Sequence, residues 1–126
     1  MGTPAETDFD DWLIATFAHG GPFTVLIVLV AIGETTVEPL RSSYLHVVGD
    51  ETRWPDMAAL FEKAGVPWNG VAFFRADRAG LVEDALAKQR LASLVHHLNE
   101  NRKLLNEGEF FDERGLRLKL EEVVKH

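Results

Sequence analysis

Residues 23–32 read Phe-Thr-Val-Leu-Ile-Val-Leu-Val-Ala-Ile. The run is short, rich in β-branched residues and apolar on both alternations, as a central strand covered on both faces requires. A membrane span is the competing reading. From Trp12 to Gly33 there are 22 residues without Asp, Glu, Lys or Arg, and a helix of about 20 apolar residues crosses a bilayer. Gly20-Gly21-Pro22 cuts that stretch in two, and it is preceded by Glu6, Asp8, Asp10 and Asp11, where a signal peptide is basic. The expectation is a soluble, cytoplasmic chain in which a helix leads into a buried strand.

Working outward, residues 1–6 form a loose tail, and Thr7 or Asp8 caps a helix carrying Phe9, Trp12, Leu13 and Phe17 at helical spacing, stopped at Gly20. Residues 33–42, with Pro39 inside, read as a polar connection to a second strand at Tyr44–Val48. A second helix follows Asp50-Glu51-Thr52, with Pro55 in its first turn. Met57, Leu60, Phe61 and Ala64 form its apolar face and Gly65 its end. Val71–Phe74 is a third strand. Between Leu81 and Asn106 the apolar phase shifts by about half a turn, taken at ~100° per residue. That shift predicts a short strand near Gly80–Asp84, hairpinned to the third strand, and then a helix over about Lys88–Asn106. Phe110 and Phe111 precede a turn at Asp112-Glu113-Arg114-Gly115, and Leu116–Leu120 alternates like a half-buried edge strand.

The chain has 126 residues, 46% of them hydrophobic, and a net charge of −7, which fits one globular domain over residues 1–126. Acidity favours solubility and basic partners. Arg75 with Arg78, and Arg102 with Lys103, are only small basic pairs, so nucleic acid is not expected as a partner. The absence of cysteine excludes disulfides, thiolate nucleophiles, cysteine-held zinc and iron–sulfur clusters.

From Ser43 to about Glu100 the order of elements resembles the thioredoxin-like family. Tyr-Leu-His-Val-Val-Gly-Asp-Glu at 44–51 is similar to that family's third strand and the acidic start of its next helix. Ala-Ala-Leu-Phe-Glu-Lys-Ala-Gly-Val-Pro at 58–67 is similar to that helix and its Gly-Val-Pro turn. Val71–Phe74 with Leu81-Val82 stands for the family's hairpin, and the helix around Leu91–Leu98 for its terminal one. The sequence departs from the family in having no Cys-x-x-Cys after Ile32, Trp68 in place of the usual Thr, about eleven residues between Ile32 and Tyr44 where the family has a long helix, and no counterpart for the segment beyond Asn106. The resemblance implies an α/β fold with a thioredoxin-like mixed sheet flanked by helices, here with a C-terminal strand extension. It also implies a cis Val66–Pro67 bond whose backbone pairs with an extended peptide.

No catalytic motif is present. His96 and Glu100 share a helix face at i and i+4, but His19, His46 and His126 are scattered, and a zinc site needs at least three protein ligands. The carboxylates fall at helix starts, on exposed faces and in the tail. With no such site, the function that the thioredoxin-like resemblance implies is a non-catalytic protein- or peptide-binding module, chaperone- or assembly-like, without cofactor or metal, binding beside the Pro loop. Its partner-binding residues are Val66, Pro67 and Trp68 of the Pro loop, with Trp54 and Arg75. The alternatives are a small acidic interaction protein of inhibitor or immunity type facing a basic target, and a cofactor-free or metal-dependent enzyme. The partner is a protein or peptide, not nucleic acid or membrane, and a homo-oligomer stays open.

Overall fold

The computed structural model describes residues 5–78 and 80–118. The elements are α1 (Asp8–Gly20), β1 (Phe23–Ile32), β2 (Val37–Val47), α2 (Trp54–Glu62), β3 (Gly70–Arg75), α3 (Asp84–Glu100), a 3-10 helix (Arg102–Glu107) and β4 (Glu109–Asp112). The four strands lie in the order β2-β1-β3-β4. The chain is thus α/β, with helices on both faces of one sheet.

β1 is the interior strand its sequence predicts. Phe23 to Val30 are all buried. Val25, Ile27 and Leu29 enter one core with Phe9 and Leu13 of α1 and Trp54, Met57 and Phe61 of α2. Val28 and Val30 enter a second core on the opposite face, with Leu98 of α3, Leu105 and Phe110. Burying both faces of one strand needs helices on each side, and the chain supplies two on one side and α3 with the 3-10 helix on the other. Among the described residues, no helix is long and apolar enough to cross a membrane.

Where a mixed sheet is expected, every neighbouring pair is antiparallel. The main cause lies in residues 33–42, which are not a polar connection. Gly33 N–H donates to Thr36 O at 2.8 Å, closing a tight turn, and β2 starts at Val37. β1 and β2 are therefore a hairpin, with Pro39 tolerated beside the bulge where the register jumps between Leu29 and Val30. β2 and β3 both run antiparallel to β1, so they are parallel to each other and joined through α2.

Helix α3 overturns the expected strand at Gly80–Asp84. It runs unbroken across Lys88, ends at Glu100, and gives way at Asn101 to the 3-10 helix. Leu81 and Val82, which give the apparent phase shift, precede the helix, and its buried side begins at Ala87. Ala87 and Leu98 are buried, with Leu91, Leu94 and Val95 partly buried between them. Those positions form a single stripe of i, i+4, i+7, i+8 and i+11. The C-terminal part also differs: Glu109–Asp112 pairs with β3, the turn at Asp112–Gly115 forms as expected, and of residues 116–118, the described part of the expected last strand, Arg117 makes a bridge to Phe111. Leu120 lies outside the described residues. On α2, Leu60 is 50% exposed rather than part of the apolar face.

Polar ties hold the cores together. Thr7 and Asp10 form a capping box at the start of α1. Asp10 Oδ2 accepts from the Glu6 and Thr7 amides, and Oδ1 accepts from Trp54 N–H at 2.7 Å. One buried carboxylate thereby joins the N-termini of α1 and α2, where helix dipoles favour negative charge. Gly115, at φ 81, lets its turn pass against Trp54; a Cβ there would stand 2.7 Å from Trp54 Cγ.

Candidate functional site

The Pro loop is held differently from the expectation. The described peptide bonds include no cis bond, so Val66–Pro67 is trans. The Val66 carbonyl accepts from Trp68 N–H at 2.9 Å, so it is already engaged inside the loop. Asn69 then behaves as extra strand: its N–H donates to Val30 O, its Oδ1 accepts from Ile32 N–H at 2.7 Å, and its Nδ2 donates to Ile32 O.

Trp68 and Trp54 are 9% and 5% exposed. Trp68 meets Phe61 edge-on at 5.3 Å between ring centroids, and Trp54 meets Phe9 at 5.4 Å. Trp54 Nε1 donates to Glu113 O. Both rings are walls of the first core and offer a partner little surface. Pro67 is exposed and Val66 partly buried. Arg75 stands apart from all four, exposed at the end of β3, with its guanidinium 5.2 Å over the Phe23 ring.

A more open feature lies beside β2. The sheet ends there, so the outer side of β2 has no strand neighbour among the described residues. Pro39 and the bulge at Leu40 blunt the first part of this edge, as protective devices do elsewhere. From Arg41 to Val47 the register is regular, and Arg41, Ser42 and Ser43 are exposed. Between this edge and α2 runs a groove of about 400 Å³. Ile27, Leu29, Leu45 and Phe61 make its apolar lining, Leu60 stands on its rim, and Arg41 and Lys63 are its charged residues.

At the other end of β2, His46 Nε2 meets Asp84 Oδ1 at 2.7 Å, and its Nδ1 meets Thr24 Oγ1 at 2.8 Å. Val82 N–H donates into the same Thr24 oxygen. The Thr24 hydroxyl is then the donor to Nδ1, and Nε2–H the donor to Asp84. The hydrogen bond from His46 holds the Asp84 carboxyl below its ordinary pKa. Partial burial, and then the Asp84 charge, raise that of Tyr44. Carboxylate, imidazole and hydroxyl in a row have the connectivity of a hydrolase triad. Thr24, however, is 0% exposed, and a nucleophile needs an open line of approach. This row is a tie that fastens β2 to β1 and to the start of α3.

His96 and Glu100 do approach, at 3.7 Å on an exposed helix face. Among the described residues no three His, Asp or Glu side chains are grouped to hold a metal ion. Sequence reasoning missed both the groove and the tie. Their residues come from segments far apart in the chain, and Thr24 lay hidden in an apolar run. No protein-family model, no curated protein and no solved structure matches the chain.

Proposed function

We propose that this chain is a non-catalytic protein-binding module that takes an extended acidic segment of a partner protein along the open edge of β2. The carrying observation is the apolar groove beside a regular, unpaired strand edge. Strand addition supplies affinity through main-chain hydrogen bonds, and the groove reads alternate side chains. The charge of the site selects the occupant. In a chain of net charge −7, this groove presents Arg41 and Lys63 and no carboxylate. A second copy fits less well, because residues 41–47 contain no acidic side chain to face those cations, and two like-charged molecules repel.

The thioredoxin-like scaffold is part of the proposal for residues 43–100. It draws on the retained order of strand, helix, Gly65-Val66-Pro67 turn, strand and terminal helix; its departures are the β1–β2 hairpin, the missing strand at Leu81-Val82 and the trans Val66–Pro67 bond. The alternative of an acidic inhibitor draws on the net charge alone and predicts a basic partner.

Synthetic decapeptides alternating leucine with glutamate, or leucine with lysine, test the proposal by amide NMR titration. The expected result is saturable shifts at Arg41–Val47 with the acidic peptide, weakened about tenfold by Arg41→Glu with Lys63→Glu. Shifts confined to Val66–Trp68, or preference for the basic peptide, would overturn it.

A further inference from the structure

Arg75, Arg78 and Arg90 reach one place from three parts of the chain: the last residue of β3, the turn after it, and the second turn of α3. Together with Ala76 and Asp77 they line an open cleft of about 550 Å³. Two of the three guanidinium groups are held in position. Arg75 lies over the Phe23 ring, and Arg90 Nη1 donates to Ala76 O at 3.5 Å. The neutralising groups are few. Asp77 Oδ2 is 4.0 Å from Arg90 Nη2, while its Oδ1 accepts from the Arg78 backbone N–H at 2.7 Å. Among the described residues, no carboxylate lies within 4 Å of the Arg75 or Arg78 guanidinium.

Three like charges gathered around one carboxylate repel each other, and an anion between them relieves that repulsion. The planar forks of arginine match the oxygens of a phosphate group two at a time. Arg75 also borders a neighbouring cleft with Thr16 and His19 of α1, which adds hydrogen-bonding side chains on that side.

We propose that this cleft binds an oxyanion, with phosphate as the best match. The phosphate is either a free small molecule or a group carried on a partner protein's side chain. The site is separate from the β2 groove: no residue lines both.

Inorganic phosphate and pyrophosphate, titrated at constant ionic strength with chloride as the balancing salt, provide the test. The expected result is saturable NMR shifts at the Arg75–Arg78 amides and at the side-chain Nε–H groups of the three arginines. Arg75→Gln and Arg90→Gln each weaken binding about tenfold, and thermal melting verifies that both variants stay folded. Asp77→Asn gives the opposite sign. Its side-chain oxygen still accepts from Arg78 N–H while the competing negative charge is gone, so phosphate binds several-fold tighter. A phosphoserine peptide separates the two sources: tighter binding than phosphate alone, through the same arginines, assigns the group to a partner, and equal binding assigns it to a free ligand. Shifts that never saturate, equal binding by wild type and the glutamine variants, or weaker binding by Asp77→Asn would each overturn the proposal.

Discussion

Replacing Trp68 with alanine separates a core residue from a binding anchor. The ring is 9% exposed and packs edge-on against Phe61 at 5.3 Å and Trp54 at 6.2 Å between centroids. Removing a buried tryptophan costs about 3–5 kcal/mol, cavity included. A domain is stable by only about 5–15 kcal/mol in total, so the loss is a large fraction of the whole. At roughly 4 °C per kcal/mol for a chain of this size, the expected fall in Tm is about 12–20 °C. Circular dichroism melting reads this directly, without relying on the fluorescence that the substitution itself changes. The acidic decapeptide, titrated at a temperature where the variant is still folded, should bind as it does to wild type, because Trp68 does not line the β2 groove. A variant that melts within a few degrees of wild type yet loses the peptide would refute this reasoning and restore the Pro loop as the binding surface.

Substitutions at two further residues probe the ties. Asp10→Ala orphans three amide donors, among them Trp54 N–H in the buried layer between α1 and α2, and should cost about 3–4 kcal/mol in urea unfolding; Asp10→Asn, which keeps one acceptor oxygen, should lose less. Asp84→Asn should act through pH. The folded Asp84 carboxyl titrates below its ordinary value because of the His46 hydrogen bond, so its contribution is complete above the unfolded pKa of about 3.9 and disappears as pH falls through the lower folded value. Wild type should therefore be the more stable of the two from pH 5 to 7, with the gap closing in acid; a gap that stays constant down to pH 2 contradicts the assignment.

The sequence showed what local pattern decides. β1 was readable because both its alternations are apolar, and α1 because Thr7 and Gly20 bracket a helical stripe. The β1–β2 hairpin was not, since its turn lacks the Asn-Gly or Asp-Gly signature and Pro39 disguised the start of β2. α3 was misread because alanine carries little hydrophobic signal, yet Ala87 is fully buried. The candidate sites were hidden for a different reason. Strand order decides which edge stays open, and that is a property of the whole sheet. Arg75 stands out in the sequence as a partner-binding candidate and, with Arg78, as a small basic pair; Arg90, twelve residues beyond Arg78, joins them because α3 packs back across the sheet. Trp54 and Trp68, partner-binding candidates in turn-rich sequence, are converse cases: their rings are buried in the first core.

An open strand edge receives a partner well only if it is already straight and in register, because sliding by one residue turns every side chain to the opposite face. Among the described residues no strand pairs with the outer side of β2 to enforce that register, so it is enforced from within. At one end stands the bulge at Leu40, which fixes how Pro39 and Arg41 meet Val30 and Leu29. At the other, the Thr24–His46–Asp84 row fastens the strand to β1 and α3. The five residues between, Arg41 to Leu45, all line the groove. In the proposed strand addition, the polar row that resembles a catalytic triad would serve preorganisation: by holding β2 in place, it would lower the ordering cost that binding otherwise carries.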